Sequence, residues 1–280
     1  MIAASLIPAV NAKASGPPDL SAASAILMDG ESGRVLYEKN AHQERAIASI
    51  TKLMTALLVA ETIESVDSEV VIKSEWTGIE GSSLYLKPGE IITVETLLYG
   101  LLLHSGNDAA VALAGFCAGD VASFVEQMNH KARELGMKQT HFANPNGLSE
   151  DGHYSTAYDM ALLGCACAKN ELLAKIMATK SVRFGTRVFT NHNKLLWKYP
   201  GCAGMKTGYT EKAGRTLVSS ASREGQTLIA VTLNAPNDWN DHEKLLNYGF
   251  QTFRRQILSK CGKIITQIPV KKSLISLIPV

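Results

Sequence analysis

The pattern of apolar and polar positions changes period along the chain. Near the start, Ala25-Ile26-Leu27-Met28 and Val35-Leu36-Tyr37 flank Asp29-Gly30-Glu31-Ser32-Gly33. Two short apolar runs around a Gly-containing turn predict a β-hairpin. Next, Ile50, Leu53, Met54, Leu57 and Leu58 recur at helical spacing. Val70-Val71-Ile72 reads as a strand and 93–103 as a buried helix. Asp108 is placed to cap a helix over 109–117. An amphipathic helix over 123–135 stops near Gly136. Asn144-Pro145-Asn146-Gly147 is loop chemistry, and 158–167 is helical again.

The last third reads differently. Segments 205–208, 216–221 and 228–233 are strand-like, and Glu224-Gly225 marks the turn between the latter two. Strands joined by tight turns pair antiparallel. A closing helix covers 241–253. Strands at both ends with helices between them predict an α+β fold, an antiparallel sheet with helices packed on it.

Composition bounds the class. The chain has 280 residues, 46% hydrophobic and 19% charged, with a net charge of +2. That suits a globular chain with a sizeable core and gives no sign of a nucleic-acid partner. Five cysteines without a Cys-x-x-Cys pair argue against a disulfide framework or a zinc site. Cys165 and Cys167 read as small buried apolar residues. No stretch reaches the length of a transmembrane helix.

The chain divides into three parts. Residues 1–22 read as a signal-peptide remnant and linker: Met1 to Val10 is apolar, and Val10-Asn11-Ala12 has the small-x-small look of a cleavage site. This places the protein outside the cytoplasmic membrane. Residues 23–255 form the main domain. Residues 256–280, with Ile264, Ile265, Ile268, Val270 and Ile275, read as the truncated start of a C-terminal β domain, with no membrane anchor expected.

Three short elements carry chemistry. Ser49-Ile50-Thr51-Lys52 opens the first helix. Residues three apart share one side of a helical turn, so Ser49 and Lys52 can meet, opposite the apolar face. A serine hydroxyl becomes a nucleophile when a base takes its proton, and a neutral lysine amine can do so. At the reference pKa of ~10.4 only about 0.04% of lysine is neutral at pH 7. Lowering that pKa to ~7–8 takes roughly 3–5 kcal/mol, which burial and a second cation can supply. Ser105-Gly106-Asn107 follows an apolar helix and can point a hydroxyl and an amide into a cleft. Lys206-Thr207-Gly208 lies on a strand; the lysine and threonine suit a substrate carboxylate, and Gly208 lets a substrate backbone lie against the edge. Each element alone arises by chance. Their order decides, with Ser105 56 residues after Ser49 and Lys206 101 residues after Ser105.

With Asn144-Pro145-Asn146-Gly147-Leu148 and Gly204-Met205-Lys206-Thr207-Gly208-Tyr209-Thr210, these elements resemble the low-molecular-mass penicillin-binding proteins, the D-alanyl-D-alanine carboxypeptidase family. The resemblance spans roughly 23–255. It implies a β-lactamase/transpeptidase-like sheet of about five strands flanked by helices, with an α-helical subdomain. It implies Ser49 as acyl-ester nucleophile, Lys52 as proton acceptor and Ser105 as proton-transfer partner. Asn107 would order the site, and Lys206 and Thr207 would hold the substrate carboxylate. Gly208 and Tyr209 complete the substrate-binding set, the backbone N–H groups of Ser49 and Tyr209 forming the oxyanion hole. The implied partners are peptidoglycan stem peptides ending in D-Ala-D-Ala, with β-lactams as inhibitors. No metal or cofactor is implied. Three rivals have weaker letters. Glu243-Lys244-Leu245-Leu246-Asn247 fits the deacylating motif of a class A β-lactamase but follows Lys206 in the chain. There is no Gly-x-Ser-x-Gly elbow and no His-Glu-x-x-His, and His104 reads as structural. A β-lactamase and a non-catalytic wall-peptide or β-lactam binder stay open.

Overall fold

The computed structural model describes residues 16–254 and the backbone of 267–269 and 277–279. The predicted leader and most of the C-terminal β-like stretch lie outside the described residues.

Alternating apolar positions build a five-stranded sheet. β1 (Ser24–Asp29) and β2 (Val35–Lys39) form the predicted hairpin. Two short hairpins come later in the chain: β3 (Glu69–Val71) with β4 (Ile91–Thr93), and β5 (Ser181–Phe184) with β6 (Arg187–Thr190). β7 (Cys202–Thr210), β8 (Gly214–Arg223) and β9 (Gln226–Leu233) complete the main sheet in the order β2-β1-β9-β8-β7, antiparallel throughout. Glu224 and Gly225 turn β8 into β9 with φ of 51° and 76°, the positive values a two-residue hairpin of matching twist requires. β10 (Gln267–Pro269) and β11 (Leu277–Pro279) pair antiparallel.

Among the described residues there are eight α-helices: α1 (Lys52–Thr62), α2 (Val94–Tyr99), α3 (Asn107–Ala118), α4 (Val121–Glu134), α5 (Ala157–Lys169), α6 (Glu171–Ala178), α7 (Leu195–Lys198) and α8 (Asp238–Thr252). The period-2 pattern gives the sheet two apolar faces. Ile26, Met28, Val218, Ile229 and Val231 join the large core shared with α1–α6. Leu27, Leu217, Leu228 and Ala230 pack with Leu245 and Leu246 of α8. Both covering helices come very close. A Cβ on Gly164 of α5 would stand 2.9 Å from Ile229 Cγ2, and one on Gly249 of α8 would stand 2.5 Å from Leu228 Cδ1. Cys165 and Cys167 are buried in α5, as their apolar neighbours suggested. Among the described residues, no single helix is long and apolar enough to cross a membrane.

Four local expectations need correction. The stretch before β1 is no loose linker from residue 19 on. Leu20 and Ala22 are buried, and the Asp241 carboxylate accepts Ser21 N–H, Ser21 O–H and Ala22 N–H at 3.0, 2.8 and 2.9 Å. Asp108 does not cap α3, which starts one residue before it with Gly106 at the cap. Its carboxylate instead accepts Leu84 N–H at 2.9 Å and Ser83 O–H at 2.7 Å, so it ties down a distant loop. The single helix expected over 93–103 widens into a π-helical turn, Gly100–His104, which ends at Ser105 with φ 70°. Finally, the side of α1 opposite the apolar face is buried as well: Lys52 to Val59 are all covered.

Candidate active site

The start of α1 is the centre of the site. A 3-10 turn, Ala48–Thr51, leads into it, and Ala48 takes a left-handed φ of 51°. That conformation costs about 1–2 kcal/mol for a residue with a Cβ and aims the next residue, Ser49, sharply out of the chain direction. Ser49 lines a cleft of about 370 Å³ with Ser82, Ser105, His192, Lys194, Thr207, Gly208, Tyr209, Arg215, Asp238 and Trp239.

Lys52 lies behind Ser49, fully buried, with its Nζ 2.8 Å from Ser49 Oγ. Two oxygens flank that nitrogen. Asn107 Oδ1 is 2.7 Å away and the Asn146 carbonyl 2.6 Å away. The Asn107 amide cannot be turned round, because its Nδ2 donates to the Glu80 carbonyl at 2.7 Å. Burial pushes the Lys52 amine well below its ordinary pKa; the nearby Lys206 cation pushes it further, and Asp108 opposes both. A neutral amine has two hydrogens and one lone pair. The two carbonyl-type oxygens take the two hydrogens, and the lone pair is left facing the Ser49 hydroxyl. This arrangement can accept a proton from Ser49.

The third motif runs along β7. Lys206 is buried and donates to the Thr207 carbonyl at 2.8 Å; burial brings its pKa down to about 7. Thr207, Gly208 and Tyr209 stand on the cleft wall, Tyr209 well exposed. Gly208 is there because nothing larger fits. A Cβ would sit 2.5 Å from Thr216 Oγ1 and 2.9 Å from Ser49 N.

All eight residues singled out in the sequence therefore converge here. Ser49, Ser105, Thr207, Gly208 and Tyr209 line the cleft, while Lys52, Asn107 and Lys206 are buried behind it. Other participants carried no motif. The Asn146 carbonyl is a backbone acceptor, invisible to side-chain reasoning, although its loop was part of the family resemblance. Arg215 pairs with Asp238 at 2.9 Å and lies over Trp239 at 5.6 Å. Burial raises Asp238, against the pull of Arg215. His192 is held neutral, at about 4, by burial and by Lys206 and His104. His104 is half-buried, stacked near Phe189 and His192. Glu243 sits in α8 and is absent from the cleft wall; its charge bears on Tyr199.

Comparison with known proteins agrees with this geometry. Residues 11–237 match the family described as D-alanyl-D-alanine carboxypeptidase. The chain is 39% identical to D-alanyl-D-alanine carboxypeptidase DacF of Bacillus subtilis, over 90% of this chain and 68% of that protein. It is 42% identical to DacC of Escherichia coli, over 84% of this chain and 63% of that protein. The chain thus spans about two thirds of the length of these relatives. Penicillin binding protein 5 from Haemophilus influenzae superposes with a TM-score of 0.88 at 33% identity, covering 95% of this chain and 81% of that one. With the fold, the cleft and these relatives in agreement, the chain belongs to the D-alanyl-D-alanine carboxypeptidase family.

Proposed function

We propose that this chain is a serine-type D-alanyl-D-alanine carboxypeptidase that removes the terminal D-Ala from peptidoglycan stem peptides through an acyl-enzyme. One observation carries the reading: the buried Lys52 nitrogen stands 2.8 Å from Ser49 Oγ with Asn107 Oδ1 and the Asn146 carbonyl at 2.7 and 2.6 Å, so in its neutral form the two carbonyl oxygens can take both hydrogens and leave the lone pair for the Ser49 proton.

The steps follow from that geometry. Ser49 Oγ attacks the carbonyl of the D-Ala–D-Ala bond as its proton passes to Lys52. The tetrahedral oxyanion is met by the N–H groups of Ser49 and Tyr209, a fixed pair of donors. The C–N bond then breaks, and the leaving amine takes a proton from Lys52, with Ser105 as relay. Free D-Ala departs, and water cleaves the Ser49 ester with the same groups acting in reverse order. Thr207, Lys194 and Arg215 line the cleft, and Lys206, buried behind it with a pKa of about 7, is a site for the proton that a bound substrate carboxylate would favour. A β-lactam, with its strained amide and carboxylate, fits the same description and acylates Ser49. The catalytic unit is residues 23–255, working outside the cytoplasmic membrane, where such stem peptides are found.

The test follows D-Ala release from diacetyl-Lys-D-Ala-D-Ala, beside intact mass after penicillin treatment. Release, a penicillin adduct on the wild-type chain and none on Ser49→Ala are expected, with Ser49→Ala losing at least about 10³-fold in rate. Rapid turnover of penicillin without D-Ala release would make the chain a β-lactamase, and labelling without any release a binder.

A further inference from the structure

A directed chain of hydrogen bonds ends on the peptide that carries the Ser49 N–H. Ala143 N–H donates to His153 Nδ1 at 3.0 Å. That nitrogen is therefore the bare one, and the ring hydrogen is on Nε2. Nε2 lies 2.8 Å from Thr51 Oγ1 and donates to it. Thr51 Oγ1 donates in turn to the Ala48 carbonyl at 2.8 Å. His153 is buried, which brings its pKa down to about 4, with Glu150 raising it and His141 lowering it. The ring is thus neutral at pH 7, and its tautomer fixes the direction of the whole chain.

The end point matters. The Ala48 carbonyl and the Ser49 N–H are two ends of one planar peptide. A hydrogen bond accepted at the oxygen polarises the N–H at the other end, by about 10–30% in strength, and fixes the tilt of the plane. The preceding plane is pinned as well, by Thr216 Oγ1 donating to the Ile47 carbonyl at 3.0 Å. Between the two lies Ala48 with its left-handed φ of 51°, a conformation that persists only where its surroundings over-determine it. A threonine bonded to its own helix needs no histidine. Here the histidine fills a lone pair of the buried hydroxyl and forces its hydrogen toward Ala48.

We propose that His153 and Thr51 are positioning residues for acyl transfer, which hold and polarise the Ser49 amide as an oxyanion donor. This rests on the reading of the site given above. Neither side chain touches substrate; both act through the Ala48–Ser49 peptide.

The experiment compares wild type with Thr51→Val, Thr51→Ser, His153→Ala and His153→Gln in D-Ala release and in the rate of acylation by penicillin. Losing an oxyanion donor outright costs about 10²–10³-fold. Weakening one costs less, so Thr51→Val and His153→Ala are expected to lower kcat and the acylation rate about tenfold, with KM changed less than about twofold. Thr51→Ser keeps the hydroxyl and recovers most of the rate; His153→Gln keeps a donor and recovers part. Nitrogen chemical shifts of His153 in the folded wild-type chain should show the hydrogen on Nε2. An Nδ1–H signal, a loss confined to KM, or Thr51→Ser as impaired as Thr51→Val would each overturn the proposal. If wild type is acylated at Ser49 and the variants match it, this inference alone fails. If wild type is not acylated, the reading of the site falls and takes the inference with it.

Discussion

Asn107 Nδ2 donates to the Glu80 carbonyl at 2.7 Å, and that bond decides which end of the Asn107 amide faces Lys52. With Nδ2 engaged, Oδ1 is turned to the Lys52 nitrogen at 2.7 Å. A loop residue contributing only its backbone thus fixes an acceptor beside the Lys52 amine. The opposite orientation would set an amide N–H against a lysine N–H and leave two carbonyl oxygens facing each other at Glu80.

Asn107→Asp tests the consequence. The substitution keeps the size of the side chain, gives up the bond to the Glu80 carbonyl and replaces a neutral acceptor with a carboxylate beside the buried amine. A carboxylate at that distance raises the lysine pKa by about 1–3 units. The neutral fraction falls accordingly, and acylation by penicillin should drop at pH 7, by at most about 10- to 1000-fold. The loss should shrink about tenfold per pH unit as pH rises toward the new pKa. Acylation rates across pH read both effects. A loss equal at every pH would mean that Asn107 acts on geometry and not on the charge of Lys52.

Lys206 makes a prediction about stability. Its pKa is near 7 in the fold and 10.5 as reference, because burial disfavours the ammonium. Between those values the unfolded chain binds the proton and the folded chain does not. Stability therefore rises with pH across that window, by up to about 1.4 kcal/mol per pH unit for each such lysine. Lys52 acts in the same direction. Cys117 and Cys165, both raised to about 11 by burial, work in the opposite sense, but only above their ordinary thiol value of 9.0. Urea unfolding from pH 7 to about 8.5 isolates the lysines. Wild type should gain stability over that range and Lys206→Met should lose at least about half of the gain. An identical slope in the two chains would contradict the buried-lysine account.

The site was legible in sequence where side-chain identity carries the chemistry. Ser49 and Lys52 meet because three residues make most of a helical turn, and the five main strands follow from period-2 patterning around short turns. What escaped was of two kinds. The Asn146 and Glu80 carbonyls act through the backbone, which no residue name reveals. Lys52 was read as sharing a side opposite the apolar face, whereas loop 144–148 covers that side and makes its burial complete. Arg215, Asp238 and Trp239 reach the cleft from β8 and the start of α8, a meeting only the tertiary fold creates. A local rule makes Asp108 a cap, but its carboxylate answers to the distant N–H of Leu84.

Gly147 predicts how tightly that loop supports Ser49. Its φ is 85°, and a Cβ there would stand 2.1 Å from the Ala48 carbonyl oxygen. Gly147→Ala combines backbone strain with a collision against backbone, and should cost at least about 2 kcal/mol of stability. The displaced peptide is the one carrying Ser49 N–H, so acylation should slow by more than about tenfold. Gly152→Ala is the control. It has a similar φ of 80°, but its Cβ would lie a comfortable 3.6 Å from the nearest atom, His141 Nδ1. It should lose about 1 kcal/mol to strain alone and keep the wild-type acylation rate. Equal rates in both variants would show that the loop does not hold the nucleophile in place.

His242 predicts the response to acid. It is fully buried between the sheet and α8, with Ser219 Oγ at Nδ1 and Thr232 Oγ1 3.0 Å from Nε2. Burial brings its pKa to about 3, from 6.5. His153 and His192 are likewise lowered, to about 4. Below pH 6.5 the unfolded chain takes up these protons and the folded chain refuses them, so stability is lost as pH falls toward each lowered value. Each histidine contributes a slope of up to about 1.4 kcal/mol per pH unit. Between about pH 6 and 4.5, above the range where most carboxylates titrate, the three should dominate the acid dependence. His242→Gln keeps a polar side chain facing Ser219 and Thr232 but has nothing to protonate. It should start less stable than wild type at pH 7 and lose stability more slowly on acidification, by roughly a third of the slope if the three histidines act independently. Urea midpoints at several pH values measure this directly. A variant that falls in parallel with wild type would mean that His242 takes its proton in the folded state, which its buried, hydrogen-bonded surroundings oppose.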